Sequence, residues 1–165
     1  AGQYQPSGSF AAETYHSINA FYLVNAGGDQ HAVRWAMQPT VSVAATDLKD
    51  DDALHQEISS RIAAKPVVFD WVFTLAEPTD DETNPTKAWP ASRQQINAGQ
   101  IVLTGTTAQL EGDCHAINFD PLVLPSGITA TADPILRARS AAYAESYRRR
   151  AKEQLHGALE GSNNE

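Results

Sequence analysis

Seven residues near the C-terminal end, Ile135, Arg139, Ala142, Tyr143, Ser146, Tyr147 and Arg150, recur at the spacings of a single helical face. A helix that only packs would hold Leu and Ile at such positions, whereas this stripe holds Arg, Tyr, Tyr and Arg. One helical turn brings the Arg139 guanidinium within reach of the Tyr143 phenol oxygen. A cation at that place favours the phenolate form of a tyrosine, and a phenolate is a strong donor to ferric iron. The same stripe also reads as an ordinary amphipathic face with a snorkelling arginine and two half-buried tyrosines. On spacing alone both readings stand.

The helix that must carry this stripe runs from Pro134 to about Leu159. No glycine interrupts it before Gly157, Asp133 is placed to cap it, and Pro134 takes the first helical position, where a missing N–H is harmless. Upstream, residues 1–13 read as an extended lead-in. Ser17–Asn25 and His31–Gln38 form two strand-like runs around a turn with two glycines, a predicted β-hairpin. Leu54, Ile58 and Ile62 recur at helical spacing behind Asp47, a candidate cap, and the acids Asp50, Asp51 and Asp52, which predicts a helix over about 47–64 ended by Lys65-Pro66. Val67–Leu75 alternates strictly, with Val67, Phe69, Trp71, Phe73 and Leu75 on one face, and is the clearest strand. A polar loop follows over 77–93, then strands over 100–105 and 115–119, then a loop marked by Pro121, Pro125 and Gly127. The fold class expected is α+β, with antiparallel strands and two helices.

A chain of 165 residues is long enough for one domain with a real core, and its 42% apolar and 19% charged content is that of an ordinary globular protein. The net charge of −8, from 12 basic and 20 acidic residues, argues against binding nucleic acid through its phosphates. No apolar run reaches the ~20 residues of a membrane-spanning helix. The single Cys114 excludes an internal disulfide and leaves the redox compartment open, since a disulfide-free protein can lie on either side of a membrane. Cys114-His115 lacks the neighbouring ligand spacings of a metal site, and Trp35, Trp71 and Trp89 read as packing residues.

Four segments, in order, resemble the catalases. Asn19-Ala-Phe-Tyr-Leu-Val-Asn-Ala-Gly-Gly28 is similar to the family's H-T-F-x-x-V-N-A-x-G strand and turn, and Asn84-Pro-Thr-Lys-Ala-Trp-Pro90 to its D-P-T-K-x-W-P loop. Ile117–Ile128 resembles the F-x-P…PPGI segment, and Asp133–Tyr143 the proximal haem-ligand signature, with an arginine four residues before the tyrosine. With N-A-F in place of H-T-F, the chain looks like a small catalase-related peroxidase.

The resemblance implies a haem of b type, with Tyr143 as the iron ligand and Arg139 as its charge partner. It places Arg150 at a haem-propionate arginine and Phe119 on the proximal side, with Ile135, Ala142 and Tyr147 along the haem-facing helix. Asn19 stands where typical catalases have a histidine that bonds the supporting arginine, so the relay ending at Asp133 is expected to be shortened. Tyr147 takes the place of a histidine, and Ala144-Glu145 of a P-D pair. The distal histidine and asparagine belong to the first half of the family's β-barrel, and none of His16, His31, His55, His115 and His156 lies in the distal motif's context. Residues 1–130 are therefore expected to be the second half-barrel with one inserted helix, and 131–165 the proximal haem helix and tail. The missing half would precede Ala1 or come from another chain, so the bare chain should not be an efficient enzyme. The activity implied is reduction of hydrogen peroxide or an organic hydroperoxide; the resemblance leaves the oligomeric state open, a homo-oligomer among the options. The alternatives are a haem-binding or interaction module without turnover, and a haem-dependent dehydratase of fatty-acid hydroperoxides.

Overall fold

The computed structural model describes residues 7–43, 50–107 and 112–162. A six-stranded antiparallel sheet and two helices make up the α+β fold expected from the sequence. Strands β2 (Phe21–Val24) and β3 (Gln30–Pro39) form the predicted hairpin, and β1 (Tyr15–His16) pairs with the far end of β3. Strand β4 (Val67–Leu75) has the predicted bounds and lies between β3 and β5 (Gln95–Leu103); β6 (Ile128–Ala130) closes the order β5-β4-β3-β2-β6. The sheet is open among the described residues, with β5 and β6 at its two edges.

Period-two alternation puts Val67, Phe69, Trp71 and Phe73 on one face of β4. Helix α1 (Ala53–Ala64) covers one end of that face: Ile62 and half-buried Ile58 pack with Ala11, Val67 and Phe69, which is 1% exposed. Farther along, Trp71 and Phe73 meet edge to face, with centroids 4.8 Å apart. Phe73 is buried and Trp71 half-buried. With Phe21, Val33, Trp35 and Ile128 they line an apolar concavity of about 270 Å³. No residue of helix α1 lines this concavity; Leu124 and Pro125 of the loop before β6 border it instead.

The loop over 77–93 is held by side chains rather than by a ladder. Arg93 grips Asp80 through two nitrogens, at 2.7 and 3.0 Å, and reaches Glu77 at 2.7 Å; this contact holds the Asp80 carboxyl below its ordinary range. Arg34 of β3 donates to the carbonyls of Asn84 and Lys87 at 3.0 and 2.8 Å and lies over the Trp89 ring. Tyr22 donates to Glu82, and its own acidity falls, its pKa pushed up to about 12, chiefly by that bond.

Several elements differ from the sequence-based expectation: Phe10–Ala12, in the lead-in expected to be extended, form a 3-10 turn, β2 is shorter than Ser17–Asn25, and three further differences have identifiable causes. The strand expected at 100–105 starts earlier, at Gln95, because a bulge absorbs a mismatch: Asp70 pairs with Gln100 but Val72 with Asn97, and Gly99 takes a positive φ of 130°. The helix expected from about 47 begins at Ala53 in its described part. Asp47 lies outside the described residues, and Asp50 instead accepts the amide of Asp52. The strand expected at 115–119 is absent, replaced by a single 3-10 turn over Asp113–Ala116. The carbonyls of His115 and Ile117, which a strand partner would need, are taken by the Arg150 guanidinium.

Candidate functional site

Helix α2 (Pro134–Ser162) begins at Pro134, with Asp133 as its cap, as expected. Asp133 is fully buried, and one carboxylate oxygen, Oδ1, accepts the amides of Ile135 at 2.8 Å and Leu136 at 3.4 Å. A buried carboxylate needs such donors, and the positive end of the helix supplies them. Its other oxygen, Oδ2, accepts Asn19 Nδ2–H at 2.7 Å. Asn19, 1% exposed between β1 and β2, then accepts Arg139 Nη1–H on its Oδ1 at 2.6 Å. Arg139 Nη2 donates to Tyr143 Oη at 3.2 Å, with its guanidinium carbon 5.6 Å from the phenol ring centroid.

Asp133, Asn19, Arg139 and Tyr143 thus form a continuous chain of hydrogen bonds. The shortened relay expected at Asn19 is not what the structure shows, and the reason is chemical. A carboxamide offers one acceptor and one donor end, as a neutral imidazole does. A carboxylate only accepts and a guanidinium only donates, so Asn19 must turn Nδ2 to Asp133 and Oδ1 to Arg139. The donor-only guanidinium in turn makes Tyr143 Oη an acceptor, which is the polarity a phenolate requires.

Substitutions at Asp133 test this chain. Asp133→Ala removes the cap and leaves Asn19 Nδ2 buried without an acceptor, and should lower the unfolding free energy by about 2–4 kcal/mol. Asp133→Asn should not restore it. Its NH₂ would meet a donor on either side, and flipping Asn19 to compensate would turn an NH₂ toward Arg139. Urea unfolding of both variants checks this: recovery in Asp133→Asn would contradict the donor assignment.

The stripe read from the sequence divides in two. Arg139, Tyr143, Tyr147 and Arg150 are half-buried, on the side of the fully buried Leu136, whereas Ile135, Ala142 and Ser146 are exposed. Arg150 donates to Ser146 Oγ at 2.9 Å, to the Ile117 carbonyl at 2.8 Å and, at 3.5 Å, to that of His115. Three of its five donor hydrogens are thereby engaged. Phe119 and Ile135 are 54% and 48% exposed, large apolar groups presented to solvent.

Two contacts were not foreseen from the sequence. His115 Nε2 lies 3.2 Å from the Arg150 carbonyl, and Ser140 Oγ donates to Asp120 Oδ2 at 2.5 Å. No local pattern joins residues 35 or 20 positions apart, so neither was legible without the fold. The other histidines have unremarkable surroundings: His31 touches the Ala76 carbonyl, His55 meets the Phe10 ring, and His16 and His156 are exposed.

The chain matches the Catalase family over residues 5–157. It is 38% identical over 152 residues to a catalase-related peroxidase of Synechococcus elongatus, covering 89% of this chain and 45% of that protein. To a catalase-related peroxidase of Mycolicibacterium paratuberculosis it is 34% identical over 147 residues, covering 86% and 47%. The chain therefore spans about half the length of these curated relatives. Among solved structures, a fungal catalase superposes with a TM-score of 0.74 at 17% identity, covering 87% of this chain and 32% of that one. Catalase A from Saccharomyces cerevisiae gives 0.73 at 19%, covering 87% and 33%. At these identities the structural likeness shows the fold.

Proposed function

Because the chain belongs to the catalase family, we propose that it forms the proximal haem side of an enzyme that reduces hydrogen peroxide or organic hydroperoxides. The observation that carries the reading is the Asp133–Asn19–Arg139–Tyr143 chain, which ends on an acceptor oxygen held by a cation. The residues around it fit a haem, most simply of b type: a phenol oxygen for the iron, exposed Phe119 and Ile135 for a flat apolar ring, and two Arg150 hydrogens without an acceptor among the described residues for an anionic edge. Ala142 and Tyr147 share the same helix and complete the proposed lining. Bound there, haem would supply the two-electron chemistry of peroxide cleavage.

The chain's own residues do the positioning. Tyr143 would offer its phenol oxygen to the iron, and Arg139 would hold that oxygen through its donated hydrogen bond. Asn19 fixes the Arg139 guanidinium in place, and the capped, buried carboxylate of Asp133 fixes Asn19. The distal histidine and asparagine that move the peroxide proton come from polypeptide beyond this chain. That polypeptide also covers the apolar concavity beside Trp71 and Phe73, completing the barrel of which this sheet is the second half.

Arg139→Ala in the full-length protein tests the reading. Removing a partner of a metal ligand typically costs 10–100-fold, so peroxide turnover should fall by about that much and the ferric haem spectrum should shift. An unchanged spectrum and rate would show that Arg139 does not act on the ligand.

A further inference from the structure

We infer that His115 is a positioning residue: with Arg150 it clasps the segment leading to Phe119 onto helix α2, and so fixes where Phe119 stands relative to Tyr143. The inference rests on the proposal that this face receives haem. His115 is 5% exposed. The carbonyl of Arg150 can only accept, so the imidazole proton must sit on Nε2, which donates across 3.2 Å. Arg150 answers with its guanidinium, donating to the carbonyls of His115 and Ile117. Backbone and side chain of each residue therefore hold the other.

The remaining nitrogen makes the argument specific. With the proton on Nε2, Nδ1 is a bare acceptor, buried and without a donor among the described residues. Such an atom is costly. Leucine would fill the same volume without that cost, so the Nε2–H bond is what the position requires of histidine.

The segment is tied again past Phe119. Asp120 accepts Ser140 Oγ–H at 2.5 Å on one oxygen and the Leu122 amide at 2.8 Å on the other. Ser140 and Arg150 lie about 15 Å apart along the helix, with Tyr143 between them. Phe119 thus sits between two fastenings that straddle the proposed ligand, yet its own side chain is 54% exposed. A side chain held by its neighbours and free on its own surface is arranged to meet something else.

The test uses the full-length protein with His115→Leu and His115→Gln. Glutamine can place an N–H near the position of the imidazole Nε2, and leucine cannot. Two quantities are read: amide hydrogen exchange over residues 112–122 in the haem-free protein, and the rate of haem loss from the loaded one. His115→Leu should raise both about tenfold, the scale of one buried hydrogen bond, and His115→Gln should return both close to the parent values. Unchanged exchange in His115→Leu, or a Gln variant that behaves as Leu does, overturns the clasp. Faster exchange with unaltered haem loss overturns its link to the cofactor. Should His115→Leu fail to fold, Arg150→Lys serves instead, since it keeps the charge but loses the fork; faster exchange is then expected, and unchanged exchange overturns the proposal. The haem reading itself is tested separately by Tyr143→Phe, whose outcome does not depend on His115.

Discussion

Replacing Tyr143 by Phe is expected to strip haem from the full-length protein while leaving its far-ultraviolet circular dichroism unchanged. The substitution removes one oxygen and keeps the ring, so the half-buried side chain still fills its place on α2. Among the described residues only the Arg139 bond to Tyr143 Oη is lost, a contribution of about 1.5–3 kcal/mol for a hydrogen bond to a charged group. Arg139 keeps its bond to Asn19, so the helix stays anchored. The effect on the cofactor is of another order. Removing a partner of a ligand costs up to ~100-fold in affinity, and removing the ligand itself should exceed that. Haem titration followed in the visible spectrum measures the loss, and peroxide consumption should fall with it. Tyr147→Phe, one turn farther along, keeps the ring that the proposed lining uses and should retain haem.

The largest loss of stability is expected at Phe69. Its side chain is 1% exposed, and it packs with Ala11, Val67 and Ile62 where α1 crosses the sheet. It also meets Tyr15 edge to face at 5.8 Å. Phe69→Ala both withdraws this apolar area and leaves a cavity that a strand paired on both sides cannot close by moving, so about 3–5 kcal/mol should be lost. Val123→Ala is the internal control: at 78% exposure it should change stability by less than ~0.5 kcal/mol. Urea unfolding midpoints of the two variants against the parent protein check the pair. A Phe69 variant that unfolds at the parent midpoint would show that the α1 end of the sheet is not the core.

The elements that the sequence makes legible are those whose pattern is local. The alternation of Val67, Phe69, Trp71 and Phe73 marks β4 to the residue. Asp133 with Pro134 marks the start of α2, and the paired glycines after Asn25 mark the β2–β3 turn, where Gly28 takes a φ of 88°. What escapes a local reading depends on partners far along the chain. β1 and β6 are two and three residues long and exist because β3 and β2 pair with them. The extended Ile117–Phe119 stretch looks like a strand by composition, yet the Ile117 carbonyl goes to Arg150. In the candidate site, the one-turn spacing of Arg139 and Tyr143 is visible in the sequence. The path from Arg139 through Asn19 to Asp133 closes over separations of 120 and 114 residues, and only the fold reveals that Asn19 completes it.

The central claim is that Tyr143 binds the haem iron as a phenolate. Resonance Raman spectroscopy of the ferric full-length protein, grown with ordinary or ring-deuterated tyrosine, tests it most directly. Phenolate modes enhanced through the iron should be present, should shift with the labelled ring, should persist in Tyr147→Phe and should be absent from any residual haem in Tyr143→Phe. Modes that are missing from the parent protein, or that survive in Tyr143→Phe, would place the iron on another residue and contradict the account.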